Sequence, residues 1–176
     1  MLNIKSSVIA GAVLLTYLLP GSASAYFTTA QTAVALNDNV FLYTITYDFG
    51  MAKYDLEMPV VAVRQSVADN DTLAVGYKMV DSEGEATQIG DSVGLVLSKA
   101  KYVDGAYVVP KGKAASFTLL VLVQATDDEL TAYDAEQDLA LQVTALPFVM
   151  KAEGIKIKAN LNPSELKYYK TPELDI

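Results

Sequence analysis

The chain has 176 residues, 52% of them hydrophobic, with 13 basic against 21 acidic side chains and a formal net charge of −8. It contains no cysteine, histidine or tryptophan. That removes thiol chemistry, histidine general-base catalysis and the usual ligands of transition metals, while so acidic a chain lacks the basic face that nucleic-acid binding needs.

Residues 1–25 read as a secretory signal peptide. Lys5 supplies a positive start, Val8 to Leu19 (VIAGAVLLTYLL) an apolar run, Pro20-Gly21 a break, and Ala23-Ser24-Ala25 a small-residue cleavage pattern. The run is shorter than the ~20 residues that span a bilayer. An uncleaved N-terminal anchor is the alternative reading. Cleavage after Ala25 leaves 26–176, expected to be a single secreted or cell-surface domain with no membrane span and with 12 basic against 21 acidic residues.

Strand patterns then follow one another. Asn37-Asp38-Asn39 predicts a turn into Val40 to Phe49, where Phe41, Tyr43, Ile45, Tyr47 and Phe49 alternate with smaller or polar residues. Tyr54 to Gln65 predicts a second strand, with Pro59 marking an edge or a bulge. Leu73 to Val80 alternates again and ends at Asp81-Ser82-Glu83-Gly84, and Val93 to Ser98 is a short strand. Asp104-Gly105, between Tyr102-Val103 and Ala106 to Val109, is a hairpin signal because both turn residues tolerate positive φ. Ala114 to Ala125 reads as the central strand, with Asp138 to Leu146 expected beside it.

Two helical turns are expected. Thr126 to Glu129 has capping-box spacing, and Asn162-Pro163-Ser164-Glu165 places a cap, a proline at the first position and an acid at the third. With no long helical pattern, the expected fold is all-β: an antiparallel, immunoglobulin-like β-sandwich with one or two short helical turns.

Few residues point to chemistry. Gly90-Asp91-Ser92-Val93-Gly94 matches the G-x-S-x-G of serine hydrolases, but that motif needs a strand-to-helix turn and a base. Ser98 to Lys101 matches S-x-x-K without the helix that would bring the lysine to the serine. No catalytic residue is assigned and no cofactor is expected. The one metal candidate is a calcium site at Asp134, Glu136 and Asp138, whose alternating acids resemble the start of a calcium loop. Leu139 stands where that loop wants glycine and Ala145 where it wants an acid, so a solvated acidic loop is the plainer account. Asn70-Asp71-Thr72 is a glycosylation sequon.

Phe117 to Val123 (FTLLVLV) is more informative. With Phe117, Leu119, Val121 and Val123 toward the core, Leu120 and Leu122 face the opposite way, where a two-layer sandwich is normally wet. Either a terminal segment such as Leu161 to Tyr169 covers that face, or another molecule does. Leu120 and Leu122 are therefore interface candidates, and Tyr168 and Tyr169 join them as stacking platforms for a bound molecule.

Three stretches resemble known groups. AYFTTAQTAVALND after the cleavage site resembles the mature N-termini of short secreted β-sandwich proteins, and GAYVVPKGKAASFTLLVLV is similar to segments common in such domains. LNPSELKYYKTPEL resembles the C-termini of exported proteins of ultrasmall, Parcubacteria-like candidate-phyla bacteria. Ala25-Tyr26-Phe27-Thr28 carries a more distant similarity to camelysin-type matrix and pilus subunits, in which residues after the cleavage site donate a strand to the next subunit. The resemblance implies no catalytic residue. In this chain, however, residues 26–36 carry too few large apolar groups at alternate positions for a donated strand, and self-closure as an edge strand is expected. The expected function is that of a non-catalytic exported protein acting at the cell surface or in the matrix by self-association or adhesion. A homo-oligomer or a surface partner is implied; the alternative is a soluble glycan- or peptide-binding module using its tyrosines.

Overall fold

The computed structural model describes residues 25–50, 53–65, 73–133, 138–152, 154–161 and 163–175. Residues 1–24 of the proposed leader, the sequon at Asn70, and Asp134 and Glu136 of the calcium candidate lie outside them. No helix among the described residues is long and apolar enough to cross a membrane.

The protein is predominantly β, with two sheets packed against each other. In chain order the strands are β1 (Ala25–Asn37), β2 (Val40–Gly50), β3 (Asp55–Met58), β4 (Val61–Arg64), β5 (Val75–Val80), β6 (Ala86–Thr87) and β7 (Asp91–Ser98). There follow β8 (Lys101–Val103), β9 (Ala106–Val109), β10 (Ala114–Gln124), α1 (Asp127–Ala132), β11 (Ala140–Ala145), β12 (Pro147–Ala152), β13 (Ile155–Asn160) and α2 (Pro163–Leu166). An eight-stranded sheet runs β1-β2-β10-β7-β4-β5-β11, with β6 added on β5, and a five-stranded sheet runs β13-β12-β3-β9-β8.

Local chemistry explains the corners. The Asn37 side chain accepts a hydrogen bond from the Asn39 N–H at 2.9 Å, closing the β1–β2 turn. Asp104 and Gly105 both take positive φ, 49° and 86°, which lets the β8–β9 hairpin keep a two-residue turn. Pro59 does more than interrupt a strand: β3 before it belongs to the five-stranded sheet and β4 after it to the eight-stranded one. Pro147 opens β12 at a second crossing, a position where a missing N–H costs the ladder least. There the Leu146 N–H is satisfied by the Asn160 side chain at 2.8 Å.

Two expectations are corrected. The segment from Asp138 to Leu146 does not pair with the central strand: β11 pairs with β5, and β7, β4 and β5 separate it from β10. Nor are the sheets wholly antiparallel, because β4 and β5 run parallel. Both follow from the sheet switch at Pro59, which delivers β4 to the far flank of β7.

The core lies between the sheets. Phe41, Tyr43, Ile45, Tyr47 and Phe49 of β2 meet Phe117, Leu119, Val121 and Val123 of β10, and Leu56, Met58 and Phe148 close it from the other layer. Ring contacts tie the layers together: Tyr107 meets Phe117 edge-on at 5.9 Å and Phe49 meets Phe148 edge-on at 5.2 Å, while Tyr47 stacks on Phe117 within the larger sheet at 5.7 Å. Burial pushes the Tyr43 and Tyr47 hydroxyls well above the ordinary tyrosine pKa, so both rings stay neutral.

Candidate functional site

The outer face of the eight-stranded sheet follows from the register of β10. With Phe117, Leu119, Val121 and Val123 enclosed, the residues between them point away from the five-stranded sheet. Leu122 lies between Leu42 and Val93, Leu120 between Thr44 and Leu95, and Thr118 between Thr46 and Leu97. The flanking strands extend the same surface, with Val34 opposite Leu42 and Val61 opposite Leu95. Val93 is 69% exposed, Leu97 49% and Leu122 37%, while Leu120 is half-buried among its neighbours.

Its polar members satisfy one another. The Thr32 and Thr44 hydroxyls are 2.7 Å apart and those of Thr46 and Thr118 3.0 Å, so each pair shares a hydrogen bond within the face. Acids come only at its margins, where Asp48 lies opposite Ser116 and Asp91 opposite Gln124. Five strands at ~4.8 Å spacing and six residues of ~3.3 Å rise give a flat projection of about 480 Å². The face is uncharged rather than wholly apolar, and exposed Val93, Leu97, Leu122 and Val61 on it are the kind of clustered apolar surface that marks interaction sites. The outer face of the five-stranded sheet is different in kind: Glu57 pairs with Lys151 and, at 3.5 Å, with Lys156. Partial burial opposes ionisation of Glu57, but the two lysines outweigh it and hold the carboxyl below its ordinary pKa.

The C-terminal segment goes elsewhere. Leu161, Leu166 and Tyr169 are buried in the core, and Tyr169 meets Tyr47 edge-on at 6.0 Å. Its backbone bridges to β11, with the Val143 N–H donating to the Tyr169 carbonyl and Leu139 exchanging hydrogen bonds with Leu174. This closes the open side of the sandwich and leaves the outer face uncovered by any described residue. Of the four interface candidates, Leu120 and Leu122 share the outer face. Tyr168 is exposed near β1, its carbonyl accepting from the Gln31 side chain at 2.7 Å and its ring 4.8 Å from the Lys167 ammonium. Tyr169, 4% exposed, is a core residue and leaves the interface set.

The motif residues are occupied by packing. Ser92 lies within β7 rather than at a strand-to-helix turn, and its hydroxyl accepts from Tyr77 at 2.9 Å. A Cβ at Gly94 would fall 2.8 Å from the Tyr77 ring and 2.9 Å from Ala62, so glycine there permits β4 and β7 to close. Gly90 takes φ +65°, a turn conformation that favours glycine. Ser98 donates to the Ser116 carbonyl at 2.7 Å, and Lys101 follows on β8. Of the calcium candidates, Asp138 alone is described, half-buried ahead of β11, and among the described residues no three acids gather as a metal-binding group.

One arrangement matches no sequence motif. Arg64, the only arginine in the chain, donates to the carbonyls of Thr87 at 2.9 Å, Ile89 at 3.0 Å and Gly90. Burial pushes its pKa down, and Tyr77, Asp91 and Glu129 push back. The rigid guanidinium reaches these carbonyls from two separate nitrogens, a spread that the single nitrogen of an ammonium does not have. The signal in the sequence was the single arginine among twelve lysines.

Comparison with protein-family models, with curated proteins and with solved structures finds no match to this chain.

Proposed function

We propose that the chain is exported after loss of residues 1–25 and acts as a non-catalytic, immunoglobulin-like β-sandwich at the cell surface or in the extracellular matrix. Its work is association with further copies of itself through the outer face of the eight-stranded sheet. The observation that carries this reading is the uncharged surface centred on Leu120, Leu122 and Val93, left open while the C-terminal segment is used elsewhere. Burial of such a face is favourable at about 25 cal/mol per Å². In a mature chain with 12 basic against 21 acidic residues, a neutral face is also where two copies meet with least repulsion. The non-catalytic part is supported by the missing histidine and cysteine and by the engagement of Ser92 and Ser98 in structural hydrogen bonds.

The test is light scattering with negative-stain microscopy of protein purified from an exporting host, its N-terminus read by mass spectrometry. Concentration-dependent particles beginning at Tyr26 are expected. A strictly monomeric particle at high concentration removes the self-association reading, and a retained residue 1 removes leader cleavage.

A further inference from the structure

The strand edges of the two sheets are unequally protected. At one flank of the eight-stranded sheet, β11 is covered by the C-terminal segment through the Leu139–Leu174 and Gln142–Lys170 bridges. In the five-stranded sheet, the β13 edge (IKIKAN) carries Lys156 and Lys158, and β8 is three residues long and begins with Lys101. Short strands, lysines and β-bulges are the usual means of keeping an edge from pairing. β1 is long and carries no lysine, and its irregularities leave its middle regular. It runs for 13 residues, AYFTTAQTAVALN, with no charge, proline or glycine, and among the described strands it pairs only with β2. Register shifts between Thr28 and Ala30 and between Ala35 and Asn37 bound a regular stretch from Ala30 to Ala35. At ~3.4 Å per residue that is about 20 Å of flat edge.

We infer that the free edge of β1 pairs antiparallel with β1 of a second copy, joining two eight-stranded sheets across a two-fold axis that passes between the two Thr32 residues, so that outward-facing side chains meet outward-facing ones. The inference rests on the self-association reading for its partner, but uses a different surface. Two properties select a second copy over an unrelated strand. The edge bears no charge by which an acidic or basic peptide would be chosen, and two strongly acidic copies meet there without like charges opposed. An antiparallel pair of identical strands is also self-complementary, so the contact closes as a dimer. The axis stands perpendicular to the sheet, which sets both outer faces on the same side and extends the surface that includes Val34. β1 thus pairs with β2 in its own chain, as expected of an edge strand, and still serves a partner through its other edge.

The absence of cysteine makes the test direct. A spin label on Ala30→Cys of the exported protein, at an exposed position, is compared with one on Ile155→Cys of the β13 edge. Self-pairing about Thr32 sets the two Ala30 positions four residues apart along the strand, a backbone separation of about 14 Å and a correspondingly short inter-label distance. The expected result is that distance at position 30, none that short at 155, and its persistence when Val93→Lys and Leu122→Lys are added. Association without a short distance at 30 overturns edge pairing and leaves the outer-face reading standing. A short distance at both positions overturns it, as does a distance at 30 that the outer-face lysines abolish. Absence of any association overturns both readings.

Discussion

Gly94→Ala tests whether the G-x-S-x-G stretch is a packing device. The added Cβ would lie 2.8 Å from the Tyr77 ring and 2.9 Å from the Ala62 Cβ, well inside ordinary contact distance. Neither neighbour yields easily. Tyr77 is 1% exposed with its hydroxyl tied to Ser92, and Ala62 belongs to β4, held between β7 and β5. Overpacking of this kind costs about 1–3 kcal/mol, while a stiffer unfolded chain returns about 0.4–1 kcal/mol. The net loss should be about 1–2 kcal/mol, read as a lower midpoint in urea denaturation followed by far-ultraviolet circular dichroism. At ~2–4 °C per kcal/mol for a chain of this size, the melting temperature falls by about 2–8 °C. Ser92→Ala, which strips Tyr77 of its acceptor, should cost about 1 kcal/mol. The double variant should lose less than the sum, because both changes act through the Tyr77 ring. A Gly94→Ala protein as stable as the parent would refute the close approach of β4 and Tyr77, and with it this account of the motif.

Three further outcomes are expected. Arg64→Lys keeps the charge but replaces two separated donating nitrogens by one, and should destabilise by about 1–3 kcal/mol; an unchanged denaturation midpoint would show the fork to be dispensable. Tyr47→Phe removes a buried hydroxyl that has no hydrogen-bond partner among the described residues, so stability should hold or rise by about 1 kcal/mol, and a clear loss would reveal a partner. Glu57 has a lowered folded pKa, so its ion pairs stabilise above the ordinary glutamate pKa of about 4.3, and that contribution fades as pH falls through the folded value. Glu57→Gln should therefore be less stable than the parent at pH 7 and converge on it in acid; a gap independent of pH contradicts the pairing.

Much of the strand layout was legible because it rests on local chemistry. The alternation from Phe41 to Phe49, the Asp104-Gly105 hairpin and the Thr126–Glu129 capping box all form where their residues predict. Sheet membership was not legible. Pro59 signals a break, but nothing in residues 54–65 says that the halves enter different layers, and the misplaced partner of β11 follows from that. The outer face was half legible: Leu120 and Leu122 betrayed a two-sided strand, but Val93, Leu97 and Val61 join them only through register across three strands. Tyr169 was misread because adjacent tyrosines look alike in sequence, whereas the turn after α2 sends one ring into the core and leaves the other in solvent. Arg64 was missed because its partners are backbone carbonyls, which carry no sequence signature.

The account turns on the outer face, and sedimentation velocity of the exported protein beside its Val93→Lys/Leu122→Lys variant tests it most directly. Both substitutions fall on exposed side chains, so circular dichroism and melting temperature should be preserved. The parent should associate with rising concentration and the variant should shift toward smaller species. A parent that stays monomeric throughout, or a folded variant that associates as the parent does, would contradict the claim.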